Sequence, residues 1–357
     1  MGRKSEDEKN KLVSASVIAQ KSDKDLLRTK EFIEKFLELR GLEKLYNTYI
    51  KTVSDALKYN KSSKIYVEYR LDGTATGRLS NAGYSADEPM GVSFHTLPRE
   101  SAAVNIRSYV VAPDGYDFIT ADMKAMELRI LAHLSREKNM VKAFNNKIDL
   151  HKYSASMTFG KPLDKVTDEE RQIAKEVSFL VVYGGSDYTL ARKRGIPQKR
   201  ASDIINGWMA AFPGVPRYME HVFNHIKNRG YAYTIFGRRR NLPNIYANVE
   251  SVQKQALRQG LNFTVQSAAS DTLLCCILGL NKRLKDKNMD TKIVATVHDS
   301  IEIISPKSET QEVLKMLQNE MTEYPYIRER FGLKFNVPLE IDVLVGPSFG
   351  VGEKVIF

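Results

Sequence analysis

Arg171, Lys175, Phe179 and Tyr183 recur at an unbroken four-residue step within RQIAKEVSFLVVYGG, two cations followed by two aromatic rings. On an α-helix that step returns to nearly one face and climbs about 6 Å each time. One rod then carries a gradient from phosphate-binding charge to a surface for a sugar and a base, which is the layout of a nucleoside triphosphate. The two glycines after Tyr183 can end or bend the helix. Taken alone, the same pattern also describes an amphipathic helix whose rings are core and whose cations are solvated.

Two carboxylates stand where apolar strands end. Asp122 lies where YDFITAD gives way to the helical pattern AMELRILAHLS, and Asp299 sits at the bend of TKIVATVHDSIEIIS. Such groups on adjacent strands would project from the rim of a sheet on a rigid support. Mg²⁺ favours one or two carboxylates completed by substrate phosphates, so the pair could hold two ions. Ions about 4 Å apart stabilise both the attacking and the leaving oxygen of a phosphoryl displacement. Asp299 by itself also has an ordinary explanation as a hairpin-turn residue. A second four-step ladder, Arg258, Asn262 and Gln266, is polar and interrupts a stretch that otherwise reads as buried.

The elements that must position these groups follow from texture. Phe32, Phe36, Leu39, Leu42, Leu45 and Tyr49 fall at spacings of three and four, predicting a helix with one apolar face. From about Ile65 the residues turn β-branched and aromatic with Gly and Asp turns. After the strand and helix of 116–135 comes a helical middle to about Tyr231, broken at Gly160, Gly195 and the FPGVP turn of 212–216. Val252 to Lys285 reads as a long helix, TKIVATVHDSIEIIS as two strands at a tight turn, and VPLEIDVLVG as a last strand. This order predicts an α+β fold, one β-sheet platform carrying a helical lobe.

Composition bounds the partners. The 357 residues suffice for two or three lobes, and Lys and Arg exceed Asp and Glu by 54 to 43, a formal charge of +11 that suits a polyanion such as nucleic acid. Cys275 and Cys276 are adjacent in an apolar run, which reads as reduced core and argues against a disulfide framework or a zinc site. The opening MGRKSEDEKNK lacks the apolar stretch of a signal peptide, and the longest apolar run, Leu273 to Leu280, is short for a bilayer. The expectation is a soluble intracellular protein without membrane contact, from the cytoplasm of a bacterial or phage-infected host or from an organelle.

ADMKAMELR, RQIAKEVSFLVVYGG and VATVHDSIEI resemble motifs A, B and C of the A-family DNA polymerases, the family of bacterial DNA polymerase I, in the right order. TATGRLSN, IDLHKYSASMTFG, FPGVPRYME, TIFGRRRNLP, RQGLNFTVQSAASD and FLELRGLEKLYNTY resemble further blocks, so the likeness spans roughly residues 30 to 350. It implies a right-hand fold with an antiparallel palm sheet, helical fingers and a truncated thumb. The corresponding boundaries are 1–64 for an N-terminal helical segment and thumb remnant, 65–135 and 248–357 for the two parts of the palm, and 136–247 for the fingers.

The resemblance further implies template-directed DNA synthesis on a primer–template with dNTPs, using two Mg²⁺ ions with Mn²⁺ as a substitute. By matching position, Asp122 and Asp299 are the metal ligands and Arg171, Lys175 and His151 meet the triphosphate, with Lys175 also serving as an acid toward the leaving pyrophosphate. Phe179 lies against the incoming sugar and base, Tyr183 closes the site, and Glu127 fills the space a ribose 2′-hydroxyl needs. Without the family, Glu127 is an ordinary helix-surface acid. Arg78, Arg258, Asn262 and Gln266 correspond to residues that approach the minor groove, where A N3 and T O2 acceptors appear in either pair orientation, so donors there test shape and not sequence. His298 is a weaker DNA-contact candidate that otherwise positions its turn, and the GRRR run reads equally as phosphate contact or plain surface.

The chain departs from the pattern in places. Ser300 stands where bacterial relatives commonly have Glu, Leu180 where Gly is frequent, and Phe179 where a Tyr would accept dideoxy terminators. Only about seventy residues precede TATGRLS, so the expectation is no proofreading exonuclease in this chain, and either low processivity or a protein partner that supplies the thumb, exonuclease or processivity function. A piece of a longer protein or a split phage-type enzyme would account for it. The alternatives are a nonenzymatic primer–template-binding subunit and a single-subunit RNA polymerase.

Overall fold

The computed structural model describes residues 23–82, 92–98 and 105–357, which fall into two compact units. The smaller unit holds residues 23–66 and Val92; it consists of α1 (Asp23–Leu45), a π-turn (Tyr46–Ile50) and α2 (Lys51–Asn60). The predicted helix is present, but its apolar face is not buried: Phe32 is 69% exposed, Phe36, Leu39 and Leu42 are exposed as well, and only Leu45 of that stripe is buried. Spacing alone therefore locates the stripe correctly without supplying a layer to cover it.

The larger unit is built on five antiparallel strands in the order β6-β7-β3-β8-β9: β3 (Tyr116–Met123), β6 (Lys292–Val297), β7 (Ser300–Pro306), β8 (Ile341–Ser348) and β9 (Val351–Val355). Alternation decides its faces. Ile119 and Ala121 on β3, Ile301 and Ile303 on β7 and Val343 on β8 belong to one apolar core, which Val265, Ala268 and Leu273 of α10 (Glu250–Asp286) and Val313 and Leu317 of α11 (Thr310–Gln318) also enter. Thr120 and Asp122 point the other way. α10 is, among the described residues, the one helix long and apolar enough to cross a membrane, but 83% of its apolar stretch is buried, so it is a core rod.

Between β3 and β6 lies the helical part: α3 (Met126–Ser135), α4 (Lys138–Asn145), α5 (Leu150–Phe159), α6 (Asp168–Val182), α7 (Asp187–Arg194), α8 (Gln198–Ala211) and α9 (Gly214–Arg229). Gly160 and Gly195 cap α5 and α7 in the left-handed region, as the sequence predicts. α6 is strongly started. The Thr167 hydroxyl accepts from the Glu170 amide, Glu170 accepts from the Thr167 amide, and Asp168, Glu169 and Glu170 place negative charge at the positive helix end. The Trp208 indole of α8 donates to Ser178 of α6 at 3.1 Å, fixing the buried side of that rod.

Two short hairpins complete the unit, β1 (Glu68–Arg70) with β2 (Ser80–Ala82) and β4 (Tyr231–Tyr233) with β5 (Arg239–Asn241). The second of these, together with β9, α11 and α12 (Pro325–Phe331), is absent from the sequence reading, being too short or too little alternating to register.

Candidate functional site

The paired aspartates meet through sheet register. Asp122 is opposite Ser300, and the Met123 amide donates to the Asp299 carbonyl at 3.1 Å, so Asp299 lies just before the strand that neighbours that of Asp122, one step out of line. A two-residue turn carries Asp299, with His298 at φ 57° in the left-handed region. After Met123, Ala125 at φ 48° turns the chain sharply into α3 and brings Glu127 onto the same rim.

On its other side Asp122 is opposite Asp342, which Lys124 and Lys354 approach to 3.2 and 2.6 Å. Burial pushes the Asp342 carboxyl up, but the two ammonium groups outweigh it and hold it below its ordinary range. Among the described residues no three His, Cys, Asp or Glu side chains gather closely enough to hold a metal unaided. Asp122 and Asp299 offer hard oxygen donors, the kind Mg²⁺ takes in ones and twos with phosphate oxygens completing its shell.

Glu127 is the hub at one end of α6. It is 5% exposed, which corrects its reading as a surface acid. Arg78 donates to it at 2.8 Å, the Tyr183 hydroxyl lies 3.0–3.1 Å from both its oxygens, and the Gln266 amide reaches it at 3.5 Å. Burial raises its pKa, opposed first by Arg78. The same guanidinium lies 3.5 Å from Asp299, joining the hub to the aspartate pair.

The loop bearing Arg78 is itself tied down. Thr74 donates to the Arg78 carbonyl, Ser270 of α10 donates to the Gly77 carbonyl, and Arg238 packs against Gly77 while forming a forked pair with Asp271. The GRRR run is thus divided among separate tasks: Arg239 lies over the Tyr231 ring at 3.8 Å and Arg240 donates to Gln259. The glycines after Tyr183 are needed where they stand. Gly184 has φ 65° with the Arg258 stem over it, and a Cβ at Gly185 would meet Leu180 at 2.3 Å.

The opposite end of α6 is open. Arg171 donates to one oxygen of Asp149 at 2.8–2.9 Å, while the other oxygen of Asp149 caps α5 through the amides of His151 and Lys152. The His151 ring lies 6.2 Å from Phe179. Burial lowers the His151 pKa to about 4, with Asp149 opposing and Lys175 and Arg171 reinforcing the shift, so the ring is neutral near pH 7. Both ends of the four-step face thereby turn toward other candidate residues.

A cavity of about 260 Å³ beside the Asp299 turn is lined by Arg78, Ser93, His95, Thr296 and His298, with the two imidazoles stacked at 5.5 Å. Arg78 Nε, His151 Nδ1 and Asn262 Nδ2 are among the buried polar atoms without a hydrogen-bond partner among the described residues. Sequence reasoning missed His95 and Tyr69, which both contact the Thr296 carbonyl, Asp149 beside Arg171, and Glu302, which accepts from Thr120. Of these only Asp149 left a signal, as an acid just before a helix.

Comparisons with known proteins bear on the family of the whole chain. Residues 3–351 match the model for DNA polymerase family A. The chain is 32% identical over 318 residues to the thermostable DNA polymerase I of Thermus aquaticus, covering 89% of this chain and 36% of that protein. It is 30% identical over 336 residues to DNA polymerase I of Bacillus subtilis, covering 94% and 36%. It thus spans about a third of the length of these curated relatives. A solved structure, the POL domain of Pol1 from M. smegmatis in complex with DNA primer-template and dNTP, superposes with a TM-score of 0.80 at 29% identity over 92% of this chain and 55% of that one. The chain belongs to DNA polymerase family A.

Proposed function

We propose that this chain is the catalytic core of a template-directed DNA polymerase that extends a primer 3′-OH with dNTPs. The five-stranded sheet serves as the palm, the helical segment 136–247 as the fingers and the α1–α2 segment as part of the thumb. One observation carries the reading: the register that sets Asp122 beside Asp299, with Glu127 and Arg78 joining them to the Tyr183 end of α6. The structural relative, described as holding primer-template and dNTP, supports the choice of substrates.

Asp122 and Asp299 would hold divalent cations, and Mg²⁺ bound there would offset the charge on the attacking and leaving oxygens. Arg171 and Lys175 bind the triphosphate from one side and so orient its α-phosphorus toward the primer hydroxyl. Attack by the primer 3′-hydroxyl, whose proton passes to solvent, forms the new ester bond as the bond from the α-phosphorus to the bridging oxygen breaks, and Lys175 would give a proton to the departing pyrophosphate. Neutral His151 contributes a polar contact without adding charge. Phe179 and Tyr183 pack the sugar and base, and Glu127, fixed by Arg78 and Tyr183, blocks a 2′-hydroxyl. Arg78, Asn262, Gln266, Arg258 and His298 serve the primer–template duplex, with the cavity at His298 taking the primer end.

Primer extension by the chain with Mg²⁺, comparing dNTPs, rNTPs and Asp122→Ala, tests this directly. Templated extension with dNTPs that disappears in Asp122→Ala is the expected result. Binding of primer–template without extension by the intact chain would replace this reading with that of a binding subunit, and a preference for rNTPs with that of an RNA polymerase.

A further inference from the structure

β7 carries a carboxyl that the polymerase motifs leave unassigned. Glu302 is 0% exposed and opposes Thr120 in the β3–β7 register, on the face that also bears Asp122 and Ser300. Thr120 donates to Glu302 Oε2 at 2.6 Å. Ser300 Oγ lies 2.6 Å from Glu302 Oε1 and 2.9 Å from the Val297 carbonyl oxygen.

A serine hydroxyl has one hydrogen. Were Glu302 ionised, that hydrogen would face two acceptors at once. With a proton on Oε1, Glu302 donates to Ser300, Ser300 donates to Val297 and Thr120 donates to Oε2, so each of these three contacts has its own hydrogen. The charged surroundings are mixed. The carboxyl stands raised to about 7, chiefly by burial, with the Ser300 and Thr120 hydroxyls and Arg107 opposing the rise and Asp122 adding to it. The Tyr69 phenol, held at about 12 chiefly by burial, faces it as a neutral group.

We propose that Glu302 is carried as a neutral acid and is the positioning residue that ties β3 to the Asp299 turn, locking the strands of the two aspartates through Thr120 and Ser300 without another negative charge on that face. The catalytic consequence rests on the polymerase reading above; the protonation state does not. Residue 300 is where the family pattern commonly has a carboxylate, and here a hydroxyl leads back to an acid two positions further along the same face.

Infrared difference spectra of the full chain, wild type against Glu302→Gln below neutral pH, test the proton. The C=O band of a protonated carboxyl should vanish in the variant, and Thr120→Val should shift it by removing one hydrogen bond. Loss of a carboxylate band with no protonated one would overturn the neutral acid. Primer extension tests the positioning role: Glu302→Gln should stay within about twofold of wild-type kcat, whereas Glu302→Ala should fall about tenfold in kcat with dNTP KM little changed. An alanine variant as active as the glutamine variant would refute positioning, and so would a glutamine variant that folds with wild-type stability yet is as impaired as alanine. An inactive wild type would defeat the polymerase reading and leave the infrared result to decide the proton.

Discussion

The two ends of α6 are built in opposite ways. At Tyr183 a hydroxyl, a guanidinium and an amide close on one buried carboxylate, Glu127. At Arg171 a single ion pair to Asp149 lies with both side chains more than a third exposed. A pair so exposed is worth about 0–1 kcal/mol, so an arriving triphosphate can displace it, whereas the Glu127 cluster cannot rearrange without stranding buried polar groups. The end assigned to the sugar and base is pre-formed, and the end assigned to the phosphates keeps its charge in reserve.

The largest expected effect is at the open end, the one assigned to the reacting phosphates. Lys175→Ala should lower kcat/KM by about 10²–10³, the scale for removing one pre-organised electrostatic group. Single-turnover primer extension would show it, and a loss confined to KM would mean that Lys175 only binds. At the closed end, Glu127→Ala should raise the use of rNTPs relative to dNTPs by about tenfold or more and cost about 1–3 kcal/mol of stability, because Arg78 and Tyr183 lose a buried partner. Competition between dNTP and rNTP at a single template position measures the first, and denaturant unfolding the second. Unaltered sugar preference would remove the reason for regarding that end as a discriminator.

The carboxyls at the two ends should also answer pH with opposite sign. Burial raises the Glu127 pKa above 4.5, so the folded state binds more protons than the unfolded one and stability falls as pH rises from about 4.5 through the folded value. For Asp149 burial acts upward too, but the Lys152 amide and Arg171 outweigh it and the pKa lies below 3.8. Its contribution is complete above that value and is lost as pH falls through the folded pKa. Unfolding curves for wild type, Glu127→Gln and Asp149→Asn across the acidic range would separate the two; slopes of equal sign would contradict the contrast.

How much of this was legible beforehand depended on distance along the chain. The switch from strand to helix at Asp122, the hairpin at Asp299 and the end of α6 before its glycines are local patterns, and each lies where its pattern does. The register that joins β3 to β7 is not local, and neither is the burial of Glu127, whose partner Arg78 is 49 residues away. Glu302 gives no local signal, because its partner Thr120 is 182 residues distant. The stripe on α1 shows the reverse failure: its period is plain in the sequence, yet period says nothing of what covers it.

Asp149→Asn is the smallest and sharpest probe of the contrast. Asparagine remains a good cap, since its side-chain oxygen can still accept from the His151 and Lys152 amides, so α5 should persist where alanine would cost about 1 kcal/mol. Its amide cannot accept from Arg171, which is therefore released. If the ion pair is only a resting place for the guanidinium, losing at most about 1 kcal/mol of competition should lower the dNTP KM by no more than about fivefold, with kcat unchanged. A rise in KM would instead mean that Asp149 holds Arg171 in its working position, making the phosphate end as pre-formed as the Tyr183 end.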